Sequence, residues 1–238
     1  GIDIGLARRA AQTVIHTIKG NVKDEAAAAV RAVVTAIRVP GENDNQEDYT
    51  YENATSDSTG VYSINIKRAG NYILFAMPIN KPLMPGFYVA NATASWSWES
   101  ATKIDVPEAN VDMPTQLYEI KLAAFGTNPG NGIVKGSISQ DGSGMGFLGG
   151  SSKAFNGLKG VLVTAYNNMN QPVKYVYTDD QGKFEFNGLS VGKYTVTASK
   201  VSYSSNKTVV TLTEESNNSD ASMNLTPKSG TVSGVEEL

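Results

Sequence analysis

The chain has no cysteine, and that absence removes disulfides, thiolate metal sites and cysteine nucleophiles together. It leaves the compartment undecided, because many secreted bacterial domains fold without cystine. Histidine is nearly as scarce, with His16 alone in 238 residues. No GxSxG elbow, HExxH helix or phosphate-cradling P-loop occurs, so the common catalytic chemistries have few groups to draw on. A basic excess is also missing: 20 Lys and Arg stand against 23 Asp and Glu, a net charge of −3 with both signs dispersed. Such a surface offers no stripe to nucleic acid or to an anionic membrane. No apolar run approaches the roughly 18 residues that a spanning helix requires, so no membrane span is expected. The chain opens on Gly1 without Met or a signal peptide, as expected of a mature or excised portion of a longer protein.

What is present is alternation. Phe184/Phe186 and Tyr194/Val196/Ala198 each interleave with polar residues, the two-residue period of strands with one buried face. Before them, Asp179-Asp180-Gln181-Gly182 supplies a side chain able to close an Asx turn and a glycine able to take positive φ. The same stretch occurs twice at an offset of 122 without a gap: Asp57 to Ile64 matches Asp179 to Phe186, and Gly70 to Ala76 matches Gly192 to Ala198. Further out, Lys19-Gly20 pairs with Lys135-Gly136 and Val34-Thr35-Ala36 with Val163-Thr164-Ala165. The offset changes there, so insertions are expected in loops. A period this long signals repeated whole domains rather than solenoid units.

The expected organisation is a lead-in at 1–13, a first β-sandwich at 14–125, a linker at 126–132, a second β-sandwich at 133–226 and a disordered tail or linker at 227–238. Val14, His16, Ile18 and Val22 form the expected inward face of the first strand, and Ala32, Val34 and Ala36 that of the second. Pro78 to Gly86 carries three prolines and must leave any central ladder. Each half totals about seven short strands. Gln140 to Gly160 is glycine-rich and predicts a flexible insertion, whose Met145, Phe147 and Leu148 would be exposed.

The second half resembles a known family. Its Gly160-Val161-Leu162-Val163-Thr164-Ala165 strand, its Thr178 to Phe184 turn, its Gly188 to Ser199 segment and the following Tyr203 are together similar to the carboxypeptidase regulatory-like domain. The first half resembles it more loosely, replacing Gly-Leu by Lys67-Arg68 and adding the proline-rich loop. The resemblance implies an all-β fold of two tandem seven-stranded transthyretin-like (prealbumin-like) Greek-key β-sandwiches. An immunoglobulin-like or fibronectin-type sandwich would differ in strand order, which this pattern does not reveal. Phe87-Tyr88 and the segment Trp98 to Val106 resemble tandem copies in large secreted proteins of Bacteroidetes-type bacteria, and Ser233 to Leu238 resembles the linker before a type IX secretion sorting domain. The resemblance therefore implies an extracellular or cell-surface location. It also implies an accessory, non-enzymatic role as spacer, stabiliser or adhesive module, with other domains of the same polypeptide, a surface protein or a polysaccharide as partners. Related Cna-B-like pilin domains form a Lys-Asn isopeptide bond catalysed by a buried acid. Lys135 and Asn224 match the reacting pair, but Tyr194 to Ser199 holds no acid, so no bond is expected.

Three candidate sites follow. His16 shares a face with Val14 and Ile18, which fits the rim of a core better than a general base. Glu42, Asp44, Glu47 and Asp48 could gather oxygen ligands for calcium; they lack the DxDxDG spacing, and a solvated loop is the plainer reading, with no cofactor. Trp96 and Trp98, two residues apart on an expected strand, would point to one side and with Tyr88 offer an aromatic platform for a sugar ring. The plainer reading is that these aromatics fill the core or stack beneath the proline-rich loop.

Overall fold

The computed structural model describes residues 13–41, 49–140 and 157–228. These residues form an all-β protein, with one short 3-10 turn at Trp98–Ser100. The first half contains β1 (His16–Asp24), β2 (Ala32–Val39), β3 (Thr50–Thr55), β4 (Val61–Ile66), β5 (Gly70–Pro78), β6 (Gly86–Phe87), β7 (Ile104–Val106) and β8 (Leu117–Leu122). The second contains β9 (Gly132–Gln140), β10 (Leu162–Tyr166), β11 (Pro172–Tyr177), β12 (Lys183–Leu189), β13 (Gly192–Ser199), β14 (Asn206–Leu212), β15 (Asn218–Asp220) and β16 (Met223–Leu225).

Both halves use the same strand order. One sheet runs β4-β1-β8 in the first half and β12-β9-β15 in the second, with β16 also on β9. The facing sheet runs β3-β2-β5-β6, with β7 also on β5, and is answered by β11-β10-β13-β14. The last strand of each half lies parallel to the first, β8 on β1 and β15 and β16 on β9. Two separate cores fill the spaces between sheets. One is built on Ile18, Val22, Tyr62, Tyr72, Leu74 and Ile120. The other gathers Val134, Ile138, Phe186, Tyr194, Val196 and Leu225.

Among the described residues eight segments per half stand where about seven were expected, for different reasons. In the first half, the long connection after β5 lays the two-residue β6 on β5. In the second, β15 and β16 keep one register on β9 but part at Ala221-Ser222, where the Ser222 hydroxyl takes a ladder position and accepts from the Ser137 N–H at 3.0 Å.

The duplicated turn is reproduced in its bonds from backbone N–H groups. Asp57 Oδ1 accepts from the N–H groups of Thr59 and Val61, and Asp179 Oδ1 from those of Gln181 and Lys183. Gly60 and Gly182 close these turns at φ +80° and +73°, a region that a Cβ disfavours. The phenols repeat as well. Tyr72 donates to the Arg68 carbonyl at 2.8 Å and Tyr194 to the Ser190 carbonyl at 2.7 Å, each closing a corner four residues back.

Candidate functional site

The most elaborate arrangement of polar and aromatic side chains lies between the halves, and the second sandwich prepares it. A strand with one solvated face alternates buried and exposed residues. On β10 and β13 both faces are covered. Val163, Ala165, Val196 and Ala198 enter the second core. On the opposite face, Leu162, Thr164, Thr197 and Ser199 are all buried, none more than 4 % exposed. The first half meets that face: Thr164 donates to Met84 Sδ at 3.7 Å and Tyr175 donates to Met77 Sδ at 3.9 Å. Near the linker, Phe125 stacks on Tyr175 and the Gly126 N–H donates to the Pro172 carbonyl at 2.8 Å.

Trp98 closes the other end of this seam. Ser97 caps the 3-10 turn by accepting from the Glu99 N–H, and the turn carries the indole over Ile37, Ile73 and Phe87, where Val201 of the second half also packs. Its Nε1–H donates to the Tyr203 carbonyl at 2.7 Å. Around it the hydroxyls of Ser97 and Ser205 lie 3.0 Å apart, those of Ser199 and Ser205 3.2 Å apart. Glu99 accepts from the Ser205 N–H at 2.8 Å and pairs with Lys228, whose ammonium also lies 5.4 Å from the centroid of the Trp98 ring. Burial pushes the Glu99 carboxyl up, but the hydrogen bonds from Lys228 and the Ser205 N–H outweigh it and leave the group below its ordinary value. The charge is therefore present at neutral pH. A buried indole with its N–H satisfied, flanked by a charge-assisted pair, is an arrangement that holds two surfaces together.

This placement corrects the aromatic platform. Trp96 and Trp98 do not share a strand, since the backbone enters the 3-10 turn at Trp98. Trp98 is 8 % exposed and Tyr88 5 %, with Tyr88 set edge-on against Tyr118 in the first core. Trp96 alone is half-buried. The three rings therefore present no common exposed face. His16 is half-buried with Nε2 3.1 Å from the Glu108 carbonyl oxygen, while Val14, expected on its inward face, is exposed. Glu42, Asp44, Glu47 and Asp48 lie outside the described residues, as do Met145, Phe147 and Leu148. Among the described residues no three His, Cys, Asp or Glu side chains gather as a metal site. Lys135 is exposed and stands in register with Glu185 on one side and Asp220 on the other, while Asn224 aligns with Ser139. Lys135 and Asn224 are thus not in register, and the lysine keeps its solvation.

Sequence reasoning missed Met77, Met84, Ser97, Glu99, Ser205 and Lys228. One signal was present: Leu162-Val163-Thr164-Ala165 puts apolar or small residues on both faces, the mark of a strand covered twice.

Residues 151–226 match the family model described as the carboxypeptidase regulatory-like domain, the family that the second half resembles. No curated protein matches the chain. Among solved structures, it is similar to the TIE protein of Bacillus anthracis at 17 % identity and a TM-score of 0.32, over 89 % of this chain and 34 % of that one. The chain thus spans about a third of that protein's length. It is similar to the minor pilin GBS52 of Streptococcus agalactiae at 11 % identity and a TM-score of 0.33, over 94 % of this chain and 100 % of that one. A further likeness is to the major pilin subunit BcpA of Bacillus cereus, at 8 % identity and a TM-score of 0.33, over 89 % and 99 % of the two chains. No helix among the described residues is long and apolar enough to cross a membrane.

Proposed function

We infer that the chain is a non-enzymatic structural or interaction module of a larger secreted or cell-surface bacterial protein, in which two sandwiches act as one stiff body. The seam carries this reading. Its polar groups are spent on one another, with Trp98 on Tyr203, Glu99 on Ser205 and Lys228, and Ser97 on Ser205. No nucleophile, base and oxyanion donors converge there. The domain boundaries at 126–132 suit this role. Gly126 is bonded to Pro172, and Asn128 Oδ1 accepts from the Ser190 N–H at 3.1 Å and from the Tyr194 hydroxyl at 2.9 Å. That connection is pinned to the second sandwich. The partners of such a body are neighbouring domains of the same polypeptide and a surface protein. The carbohydrate-binding alternative loses its support with the burial of Trp98 and Tyr88.

The test is replacement of residues 13–228 by a Gly/Ser linker of equal length in the parent polypeptide. The expected result is retention of any chemical activity per folded molecule, with reduced protease resistance or surface display. Loss of a turnover that the isolated chain itself performs would overturn the reading.

A further inference from the structure

Strand register fixes the direction in which each half runs. In the first sandwich, Asp24 and Leu122 lie side by side, so the end of β1 marks the linker end. His16 pairs with Ile66, and Val39 with Asn71, at the opposite end. In the second, Gly132 lies beside Leu189 at the linker end. Ser199 pairs with Leu162, and Leu225 with Gln140, at the far end. The contacts between halves follow the same axis. Gly126 on Pro172 lies nearest the linker, Met84 on Thr164 midway, and Trp98 on Ser199 and Tyr203 farthest away. Trp98 in turn sits over Ile37 and Ile73, toward the His16 end of its own sandwich. The two halves therefore lie side by side, folded back at the linker like a closed hairpin.

A consequence follows for the ends of the chain. The strand that begins at His16 and the strap Thr226 to Lys228 both emerge at the Trp98 end. The strap is tied down there, because the Ser204 N–H donates to the Thr226 carbonyl and the Lys228 N–H to the Ser202 carbonyl, each at 2.8 Å. With sheets about 10 Å apart across a sandwich, the points where the chain enters and leaves are separated by about 20 Å.

We propose that the pair is a tension-opened clasp, in which pulling on the two flanking segments separates the Trp98 end first and swings the halves apart between Ala124, held to the first sandwich by Glu25, and Asn128, held to the second by Ser190. Force applied at the open mouth of a hairpin meets its bonds one after another. The first in line are the Lys228–Glu99 pair, the Ser205–Glu99 hydrogen bond and the Trp98 indole. The strands inside each sandwich lie deeper and share the load across whole ladders. Opening lengthens the protein without unfolding either core. The proposal rests on the structural-module reading, yet the chain's own mechanics test it separately from the role of the parent protein.

The experiment is single-molecule force spectroscopy on the full chain held by its two ends. Swinging two strand-length bodies of about 30 Å from side by side to end to end adds about 40 Å, whereas unfolding a sandwich of about 90 residues releases about 300 Å. The wild-type chain is expected to show the short step before either long one. Because the chain has no cysteine, Ser97→Cys with Ser205→Cys, oxidised with diamide, places a disulfide where the two hydroxyls are 3.0 Å apart. The disulfide should abolish the short step, and reduction should restore it. Glu99→Gln should move that step to lower force and leave the long steps unchanged. A wild-type trace whose first event is a long step, or a short step that survives the oxidised pair, would overturn the proposal.

Discussion

The two halves share their order of strands, their turns and their tyrosine corners, and they part company after the fifth strand. In the second half, β13 is followed by a short turn and then β14, which closes the sheet edge. In the first, residues 79–103 form a long excursion instead, which passes through a proline-rich loop, lays the two-residue β6 on β5 and delivers Met84 and Trp98 to the other half. Features set by local chain physics, such as the Asp57 and Asp179 turns, are the same in both. The divergent insertion brings Met84, Ser97, Trp98 and Glu99 to the seam, which Met77 of β5 and Phe125 complete. A duplicated sandwich is thus made into one body with the help of the segment in which the copies differ.

The largest expected difference between the halves is at a shared glycine. A Cβ on Gly20 would fall 1.9 Å from the Tyr118 carbonyl oxygen and 2.5 Å from the Tyr62 hydroxyl, whereas on Gly136 the nearest atom is Ser222 N at 2.8 Å. The Tyr62 phenol itself donates to that same carbonyl at 2.8 Å, and burial beside Tyr88 and Tyr118 pushes its titration far up and keeps it neutral. Gly20→Ala is expected to destabilise the first half by more than about 4 kcal/mol and Gly136→Ala by clearly less, read from the two denaturant midpoints. Next comes Trp98→Ala, which removes a buried indole and its hydrogen bond. By the usual cost of such truncations it should lose about 3–5 kcal/mol and split one calorimetric transition into two. A single unsplit transition in the variant would show that the halves are coupled elsewhere.

Smaller effects are expected at the tyrosine corners and at the Asp57 turn. Tyr72→Phe should cost about 1 kcal/mol. Tyr194→Phe should cost more, because its hydroxyl serves Ser190 and also Asn128, whose Nδ2 is buried without a partner of its own. Equal losses in chemical denaturation would count against the linker's anchorage. The smallest effect concerns Asp57, held below its ordinary value by hydrogen bonds from the Thr59 hydroxyl and the Val61 N–H. A depressed folded value adds stability above the ordinary aspartate range and loses it as pH falls through the folded value. Asp57→Asn should flatten that acid limb of the stability curve.

Much of this was legible in the chain because it is local. The run Lys183 to Phe186 alternates cleanly, and β12 spans Lys183–Leu189; the Asp-x-x-Gly turn at Asp179 needs only residues within four positions. Strand pairing was not legible, since β1 meets β8 about a hundred residues later in parallel, and no short-range pattern encodes that choice. Trp98 failed for the same reason. Period-two spacing with Trp96 suggested a shared strand face, but the Ser97 cap and the distant Tyr203 carbonyl decide where the indole goes. The seam left one trace, the double-faced apolar pattern of Leu162 to Ala165, which is also the pattern of an ordinary buried strand.

The most direct measurement of the seam is the emission of Trp98 alone, in a Trp96→Phe chain. Burial between the halves predicts blue-shifted emission that iodide does not quench. It also predicts a red shift with new quenching when Ser205→Arg pries the seam apart while both cores stay folded. Red-shifted, readily quenched emission in the Trp96→Phe chain, or emission indifferent to Ser205→Arg, would contradict the claim that Trp98 joins the two sandwiches.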